Sequence, residues 1–183
     1  TRDHTERMIE YFKGDIKYGN DENKGLIKLN NKNLIPRESY DIVGDFSSAS
    51  FIIVAALISP ESEVIIKNVG LNRTRNGLLK VLVLMGADIE IKNIKNICNE
   101  ESGDILVRSS YLNGVYIPED IIPNIIDEIP ILSIAAAFAE GTTNINNAKE
   151  LRVKESDRIH AIAEGLKKLN INHEVFDDGL SIT

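Results

Sequence analysis

Residues 50–69 (SFIIVAALISPESEVIIKNV) and residues 133–148 (SIAAAFAEGTTNINNA) decide the fold. Each stretch starts with an apolar run of helical length and is broken by Pro60 or by Gly141. Each then continues into a short strand that carries an Asn near its end. Two such stretches about 80 residues apart indicate an internal repeat whose unit is larger than a small solenoid repeat.

The sequence on either side of these stretches extends the repeat. Residues 81–91 (VLVLMGADIEI) match residues 161–175 (AIAEGLKKLNINHEV), and residues 7–18 (RMIEYFKGDIKY) resemble the same half of the unit. The pattern predicts a mixed α/β (α+β) fold built from tandem βαβαββ units. It predicts helices near 3–13, 50–58, 77–85, 130–139 and 156–169, and strands near 15–18, 26–29, 41–43, 64–68, 88–92, 143–147 and 173–176.

Composition excludes several classes of protein. The 183 residues are 43% hydrophobic and 27% charged, which is typical of a globular protein. The net charge of −7 argues against a nucleic-acid partner, because such proteins usually carry a basic excess. No apolar run is long enough for a membrane span. The sequence therefore predicts neither a nucleic-acid nor a membrane partner.

The residues that commonly hold metals or cofactors are sparse. Cys98 is the single cysteine, which excludes an intramolecular disulfide and is typical of a reducing, cytoplasmic environment. His4, His160 and His173 lack the spacing of metal ligands. No glycine-rich phosphate loop is present. We therefore expect no metal and no organic cofactor.

The densest candidate site is residues 151–158, LRVKESDR. The sequence places this charged run at the mouth of a helix, where Lys154 and Glu155 could share one face with Arg158. Backbone N–H groups of the first turn would favour an anion there. The alternative is a solvated helix start with a capping Ser and intrahelical ion pairs, and the pattern alone leaves both open.

Residues 126–130, IDEIP, form the second candidate. Asp127 stands just before Pro130, so its simplest role is a helix N-cap, although a buried carboxylate among isoleucines would need partners. Arg2 and His4 could contact an anion, but a frayed terminus is the default expectation. For residues 44–48, GDFSS, we predict structural capping by Ser47 or Ser48.

Five ordered motifs resemble one enzyme family: TRDHTE, GDFSSASF, NRTRNGLLKVLVLMGADIEI, IDEIPILSIAAAFAEGTT and LRVKESDR. The chain is similar to the EPSP synthases (3-phosphoshikimate 1-carboxyvinyltransferases), the glyphosate-inhibited enzymes of the shikimate pathway. The resemblance implies the repeated-unit fold that these enzymes share with RNA 3′-phosphate cyclases. It also implies transfer of the enolpyruvyl group of phosphoenolpyruvate to the 5-hydroxyl of shikimate 3-phosphate, with release of phosphate and without a cofactor.

The same resemblance assigns roles to five residues. Asp127 matches the carboxylate that contacts the 5-hydroxyl and takes part in its deprotonation. Lys154 matches a lysine near both substrates, and Glu155 the carboxylate of proton transfer at the phosphoenolpyruvate methylene. Arg158 matches an arginine for phosphoenolpyruvate, and Arg2 one for shikimate 3-phosphate. We expect the carboxylate of Asp127 to face the loop that carries Lys154 and Glu155.

The sequence departs from the family pattern in three places. It lacks the N-terminal Lys/Ser/Arg cluster, the central Ser-Ala-Gln-type motif and the C-terminal Asp-His-Arg segment. We therefore expect a fragment, in which residues 1–43 end an N-terminal domain and residues 44–183 form about two units of a C-terminal domain. The fragment should be inactive by itself, and the full protein a cytoplasmic monomer.

Three alternatives remain open at this point. One is another enolpyruvyl transferase, such as the enzyme that acts on UDP-N-acetylglucosamine, and a second is an RNA 3′-phosphate cyclase. The cyclase would need a nucleotide site and a catalytic His, for which the sequence offers no context. The third is a non-catalytic fragment of the fold.

Overall fold

The computed structural model describes residues 2–19, 25–31 and 33–183. Helices are followed along the chain by single strands or by pairs of strands, except that the helix Ile122–Ile125 is followed directly by another helix. The helices are α1 His4–Tyr11, α2 Phe46–Ile58, α3 Gly77–Leu84, α4 Ile122–Ile125, α5 Ile129–Ala137 and α6 Arg158–Lys168. The strands are β1 Asp15–Tyr18, β2 Ile27–Asn31, β3 Glu63–Gly70, β4 Asp88–Ile97, β5 Glu100–Arg108, β6 Thr143–Ile145, β7 His173–Phe176 and β8 Gly179–Ile182.

The predicted repeat is present. The first unit (residues 44–108) runs α2-β3-α3-β4-β5 and the second unit (residues 113–182) runs α5-β6-α6-β7-β8 after the short helix α4. The two sheets have the strand orders β3-β5-β4 and β6-β8-β7, and every pairing is antiparallel. Helix α1 and the hairpin β1-β2 repeat the second half of a unit.

The strand predicted at residues 41–43 does not form. Gly44 makes one parallel bridge to Val69, and in the second unit Tyr116 makes one to Asn144. The ladder ends there because Asp45 already begins helix α2 as its N-cap. A Cβ on residue 44 would lie 2.9 Å from the carbonyl oxygen of Asn68, so this close approach of two backbones requires glycine.

A continuous hydrophobic core joins the two units. The central helices α2 and α5 contact one another and are apolar on nearly all sides, as expected of buried helices. Ile53 and Leu57 of α2 belong to the same buried cluster as Ile129 and Leu132 of α5. Within the described ranges no helix is long and apolar enough to cross a membrane.

The helix starts differ from prediction in detail. The N-cap of α2 is Asp45, whose carboxylate accepts from the backbone N–H and the hydroxyl of Ser48, both at 2.7 Å. The prediction of Ser47 or Ser48 as the cap is therefore wrong. Helix α6 begins at Arg158 rather than near residue 156, because Asp157 takes the N-cap position and accepts from the N–H of His160.

The second helix of each unit ends in a left-handed residue. Gly86 follows α3 with φ 95°, as predicted, and Asn170 follows α6 with φ 57°. After α1 the left-handed residue is Lys13 (φ 63°), so the predicted stop at Gly14 is one position late. Such a residue turns the chain sharply and satisfies the last carbonyl groups of the helix.

Candidate functional site

Arginines from three separate parts of the chain meet at Asp127, two residues before α5. Its Oδ2 accepts hydrogen bonds from Arg2, which precedes α1, and from Nη1 of Arg75 at 3.0 Å. Its Oδ1 lies 3.6 Å from Nη1 of Arg158, the first residue of α6. We call Asp127 and these three arginines the Asp127 site. The hydrogen bond of Arg2 to Asp127 joins residues 125 positions apart in the sequence.

The arginines keep Asp127 ionised. Partial burial raises the pKa of this carboxyl, but the hydrogen bonds and positive charges of Arg2 and Arg75 outweigh burial and lower the pKa below its usual value. The cap interpretation of Asp127 is wrong. Glu128 occupies the N-cap position of α5, and no side chain caps that helix start.

Arg75 is anchored on the side away from Asp127. Its Nη2 donates to the hydroxyl of Ser47 at 2.5 Å, and that hydroxyl donates to Oε1 of Glu128 at 2.5 Å. The guanidinium also lies 3.7 Å from Glu128, which is only 1% exposed. Burial raises the pKa of Glu128, while the bond from Ser47 and the charge of Arg75 oppose the rise. We call Ser47, Arg75 and Glu128 the anchor cluster.

The connection from β6 to α6 fixes the charged run 151–158 in place. Residues 149–153 form a 3-10 helix, and Arg152 within it donates to the carboxylate of Asp157 at 2.8 Å. Arg152 also donates to the carbonyl oxygens of Phe176 (2.5 Å) and Asp177 (2.6 Å), at the turn between β7 and β8. The start of α6, and with it Arg158, is thereby fastened to the sheet of the second unit.

The predicted pairing within the charged run is half right. Nη2 of Arg158 lies 2.8 Å from Oε2 of Glu155, as the spacing predicted. The pKa of Glu155 is lowered by its own backbone N–H and then by Arg158. Lys154 instead pairs with Glu150. Its predicted sharing of a helical face with Arg158 is wrong, since residue 154 has an extended backbone and precedes the helix.

Four of the five predicted site residues are therefore connected. Arg158 lies between Asp127 and Glu155, and Arg2 reaches the other oxygen of Asp127. No hydrogen bond or ion pair among the described residues joins Lys154 to this group. Among residues 2–19, 25–31 and 33–183, no three His, Cys, Asp or Glu side chains are grouped to hold a metal ion.

The segment before α1 is held in place, contrary to the expectation of a frayed terminus. Besides the contact of Arg2, Nδ1 of His4 lies 2.6 Å from Oε1 of the buried Glu100. Asn72 donates to Asp3 at 2.7 Å. These contacts fix the direction in which Arg2 leaves the helix and reaches Asp127.

Sequence reasoning missed the anchor cluster. The sequence predicts only a capping role for Ser47, and it marks Arg75 and Glu128 only as members of the motifs NRTRNGLLKVLVLMGADIEI and IDEIP. The repeat held the missing signal. Residues 71–76 and residues 146–157 both connect a first strand to a second helix, so a site arginine at the start of α6 draws attention to arginines near the start of α3.

The structure thus combines a fold of repeated α/β units with a partly buried carboxylate among three guanidinium groups, an arrangement suited to phosphate and carboxylate ligands. The profile of the EPSP synthase (3-phosphoshikimate 1-carboxyvinyltransferase) family matches residues 1–183. The chain belongs to this family.

Individual relatives agree with this assignment. The chain is 55% identical to the 3-phosphoshikimate 1-carboxyvinyltransferase of Petrotoga mobilis and 48% identical to that of Geobacillus kaustophilus, with all of the chain aligned and 41% and 42% of those proteins covered. A solved EPSP synthase structure from Acinetobacter baumannii superposes with a TM-score of 0.91 at 43% identity, over 100% of this chain and 40% of that one. The chain spans about two fifths of the length of the curated relatives it matches.

Proposed function

We propose that the protein to which these residues belong transfers the enolpyruvyl group of phosphoenolpyruvate to the 5-hydroxyl of shikimate 3-phosphate and releases phosphate. The observation that carries the proposal is the Asp127 site. Arg2 and Arg158 are 40% and 29% exposed and bind a carboxylate of the protein itself. Anionic groups of substrates can compete for the same guanidinium groups. Family membership supplies the identity of those substrates.

The geometry supports a division of labour among the site residues. Arg2 binds shikimate 3-phosphate and Arg158 binds phosphoenolpyruvate, one on each side of Asp127. Asp127, already ionised, accepts the hydrogen bond of the 5-hydroxyl and takes its proton during attack on the enolpyruvyl carbon. Glu155 lies beside Arg158 and is 81% exposed, so it can exchange a proton at the phosphoenolpyruvate methylene.

Lys154 has a different place in the proposal. In the structure its ammonium group pairs with Glu150, and its side chain is partly exposed. We assign it to a phosphate or carboxylate oxygen of a bound substrate, which requires that it leave Glu150. An exposed ion pair of this kind is weak enough to exchange for a doubly charged ligand.

The wider setting follows the same proposal. Residues 1–43 close an N-terminal domain, and residues 44–183 belong to a C-terminal domain. The division is supported by the bridge of Gly44 to Val69, which makes residue 44 the first to pair with the sheet of the first unit. The enzyme works in the cytoplasm as a monomer and uses neither a metal nor an organic cofactor.

The test is phosphate release by the complete gene product, with both substrates at saturation. Asp127→Asn and Glu155→Gln should each lower turnover by ~10²–10⁴-fold, the usual contribution of an acid–base group, while leaving the fold intact. Asp120→Asn and Glu164→Gln are the matched controls, because both side chains are exposed and lie outside the site. Unchanged circular dichroism and melting temperature would show that the fold is preserved.

Two results contradict the proposal. The first is a parent protein that releases no phosphate from these two substrates. The second is near-normal turnover after Asp127→Asn or Glu155→Gln, which removes that residue from the acid–base assignment. Equal losses in the Asp120→Asn or Glu164→Gln controls would show that the effect is one of surface charge.

A further inference from the structure

We infer that Arg75 is a positioning residue of the Asp127 site: it holds the carboxylate of Asp127 in a fixed orientation while Arg2 and Arg158 bind substrates. The inference rests on the proposed function and deepens it. It assigns a role to the anchor cluster, which none of the five roles implied by the family resemblance covers. Arg75 acts through Asp127 and makes no contact with the reacting atoms in this account.

The three arginines of the Asp127 site differ in how firmly they are held. The side chain of Arg75 is 12% exposed, well below the exposure of Arg2 and Arg158. Each of its two terminal nitrogens has a partner within the protein, Asp127 for Nη1 and Ser47 for Nη2. The two more exposed arginines can leave Asp127 for a ligand, whereas Arg75 is the partner that stays.

The planar fork of a guanidinium explains why an arginine is needed at this place. Its two terminal nitrogens point in fixed directions, so a bond to Ser47 at one side sets the direction of the bond to Asp127 at the other. The buried carboxylate of Glu128 accepts from Ser47 and lies close to the same guanidinium. A lysine would supply the charge but could not span Ser47 and Asp127 together.

The packing of α3 against α4 sets the position of the Arg75 guanidinium. Helix α3 starts at Gly77, two residues after Arg75, and a Cβ there would lie 2.7 Å from the side chain of Ile125 in α4. The start of α3 therefore lies directly against α4, the helix that leads into Asp127. This packing places the loop that carries Arg75 beside the segment that carries Asp127.

The consequence appears when substrates bind. Their anionic groups take up Arg2 and Arg158, so Asp127 loses two of its three positive neighbours. Arg75 then keeps the carboxylate ionised and aimed at the hydroxyl. The charged groups that face Asp127 from the surrounding elements are Arg2, Arg75, Arg158 and Glu128, and of these Arg75 and Glu128 are the ones held within the protein.

The experiment compares Arg75→Gln, Arg75→Lys and the control Arg73→Gln in the complete gene product. Arg73 lies in the same loop and is exposed, and it makes no hydrogen bond or ion pair with the described residues. Arg75→Gln should lower kcat about 10- to 100-fold, as expected for a misplaced catalytic group, while KM for either substrate changes less than about threefold. As the pH is lowered, kcat of Arg75→Gln should fall at a higher pH than kcat of the parent, because removal of a positive neighbour raises the pKa of Asp127.

Arg75→Lys and Ser47→Ala separate charge from geometry. In Arg75→Lys, the fall of kcat at low pH should occur near the same pH as in the parent, while kcat itself remains lowered. Ser47→Ala, which keeps the charge and removes the second support of the fork, should lower kcat in the same sense by a smaller factor. Arg73→Gln should match the parent in both kcat and profile.

Outcomes against the inference can be told apart from failure of the proposed function. If the parent is active but Arg75→Gln raises KM as much as it lowers kcat, or keeps the profile of the parent, Arg75 is not a positioning residue. If the parent has no activity with the two substrates, the proposed function fails by itself. Carbon-13 NMR titration of the Asp127 carboxyl in the parent and in Arg75→Gln then decides the inference, and identical titration curves would overturn it.

Discussion

The connections that precede α3 and α6 occupy the same place in the two units, and an arginine in the first connection and another at the start of α6 both reach Asp127. In the first unit the connection is short, residues 71–76, and the mostly buried side chain of Arg75 lies between Ser47, Glu128 and Asp127. In the second unit the connection is longer, residues 146–157, and Arg158 lies more exposed beside Glu155. The two connections thus contribute two cations to one carboxylate, of which Arg75 is the more deeply held and Arg158 the more accessible to ligands.

The largest effect expected from this comparison concerns Arg158. Arg158→Gln should raise KM for phosphoenolpyruvate about 10- to 100-fold, because one charge-assisted hydrogen bond to the substrate contributes about 1.5–3 kcal/mol. Arg75→Gln, by contrast, should lower kcat and change KM less than about threefold. Initial-rate kinetics of the complete gene product measure both. Lys168→Gln, in the last turn of the same helix, is the control. Equal KM and kcat patterns in the Arg75 and Arg158 variants would erase the distinction between the loops.

A smaller effect is expected at the N-cap positions of the central helices. Asp45 caps α2 with its side chain, whereas Glu128 in the same position of α5 is buried and bonded to Ser47. At neutral pH, Asp45→Ala should lower the free energy of unfolding by about 1 kcal/mol, the usual value of a cap. Urea unfolding measures it.

The pH dependence at these two positions should have opposite signs. Partial burial raises the pKa of Asp45, but hydrogen bonds from Ser48 and Ser47 outweigh burial and lower the pKa below its usual value. The contribution of Asp45 is therefore present above the unfolded pKa and is lost as the pH falls through the folded value. Burial raises the pKa of Glu128, so the fold favours its protonated form and loses that advantage as the pH rises through the folded value. At low pH the stability of Asp45→Ala should approach that of the parent. The stability of Glu128→Gln relative to the parent should increase as the pH rises to neutral. Slopes of the same sign would contradict this.

The smallest effect is expected where α3 and α6 end. Gly86 and Asn170 both have positive φ, and a Cβ at residue 86 would make ordinary van der Waals contacts without a clash, with its nearest neighbours at 3.5 Å. Gly86→Ala should therefore cost about 1 kcal/mol for backbone strain alone, and Asn170→Gly should change stability by less than about 0.5 kcal/mol. Thermal unfolding of the two variants checks both values. A stabilising Gly86→Ala would show that the two ends are not equivalent.

Sequence reasoning predicted the repeat because its signals are local. Apolar runs, glycine and proline breaks and alternating strands recur within one unit, and they locate β7 at residues 173–176 and start α3 at Gly77. The prediction of a strand at residues 41–43 is wrong, because a strand needs a ladder of hydrogen bonds to a partner as well as an extended backbone. There the helix cap at Asp45 follows the single bridge at once and leaves no room for a ladder.

The site was predicted less completely than the fold, since its contacts join distant segments. Arg2 and Asp127 are 125 positions apart, and no periodicity links them. Asp127 was placed at a helix start by the nearby proline, but its partners are arginines, which no local pattern shows. Ser47 illustrates the same limit. Its neighbour Ser48 serves the cap, while Ser47 lies one helical step away and faces Glu128.

The strand order of the two sheets has a consequence for synthesis on the ribosome. In each unit the central strand, β5 or β8, is the last to be made, and the two edge strands pair with it but not with each other. An emerging unit therefore exposes two unpaired strands until its final segment leaves the exit tunnel. We expect each sheet to form only when the last strand of its unit is available. The nascent chain should then gain structure one unit at a time and not one strand at a time.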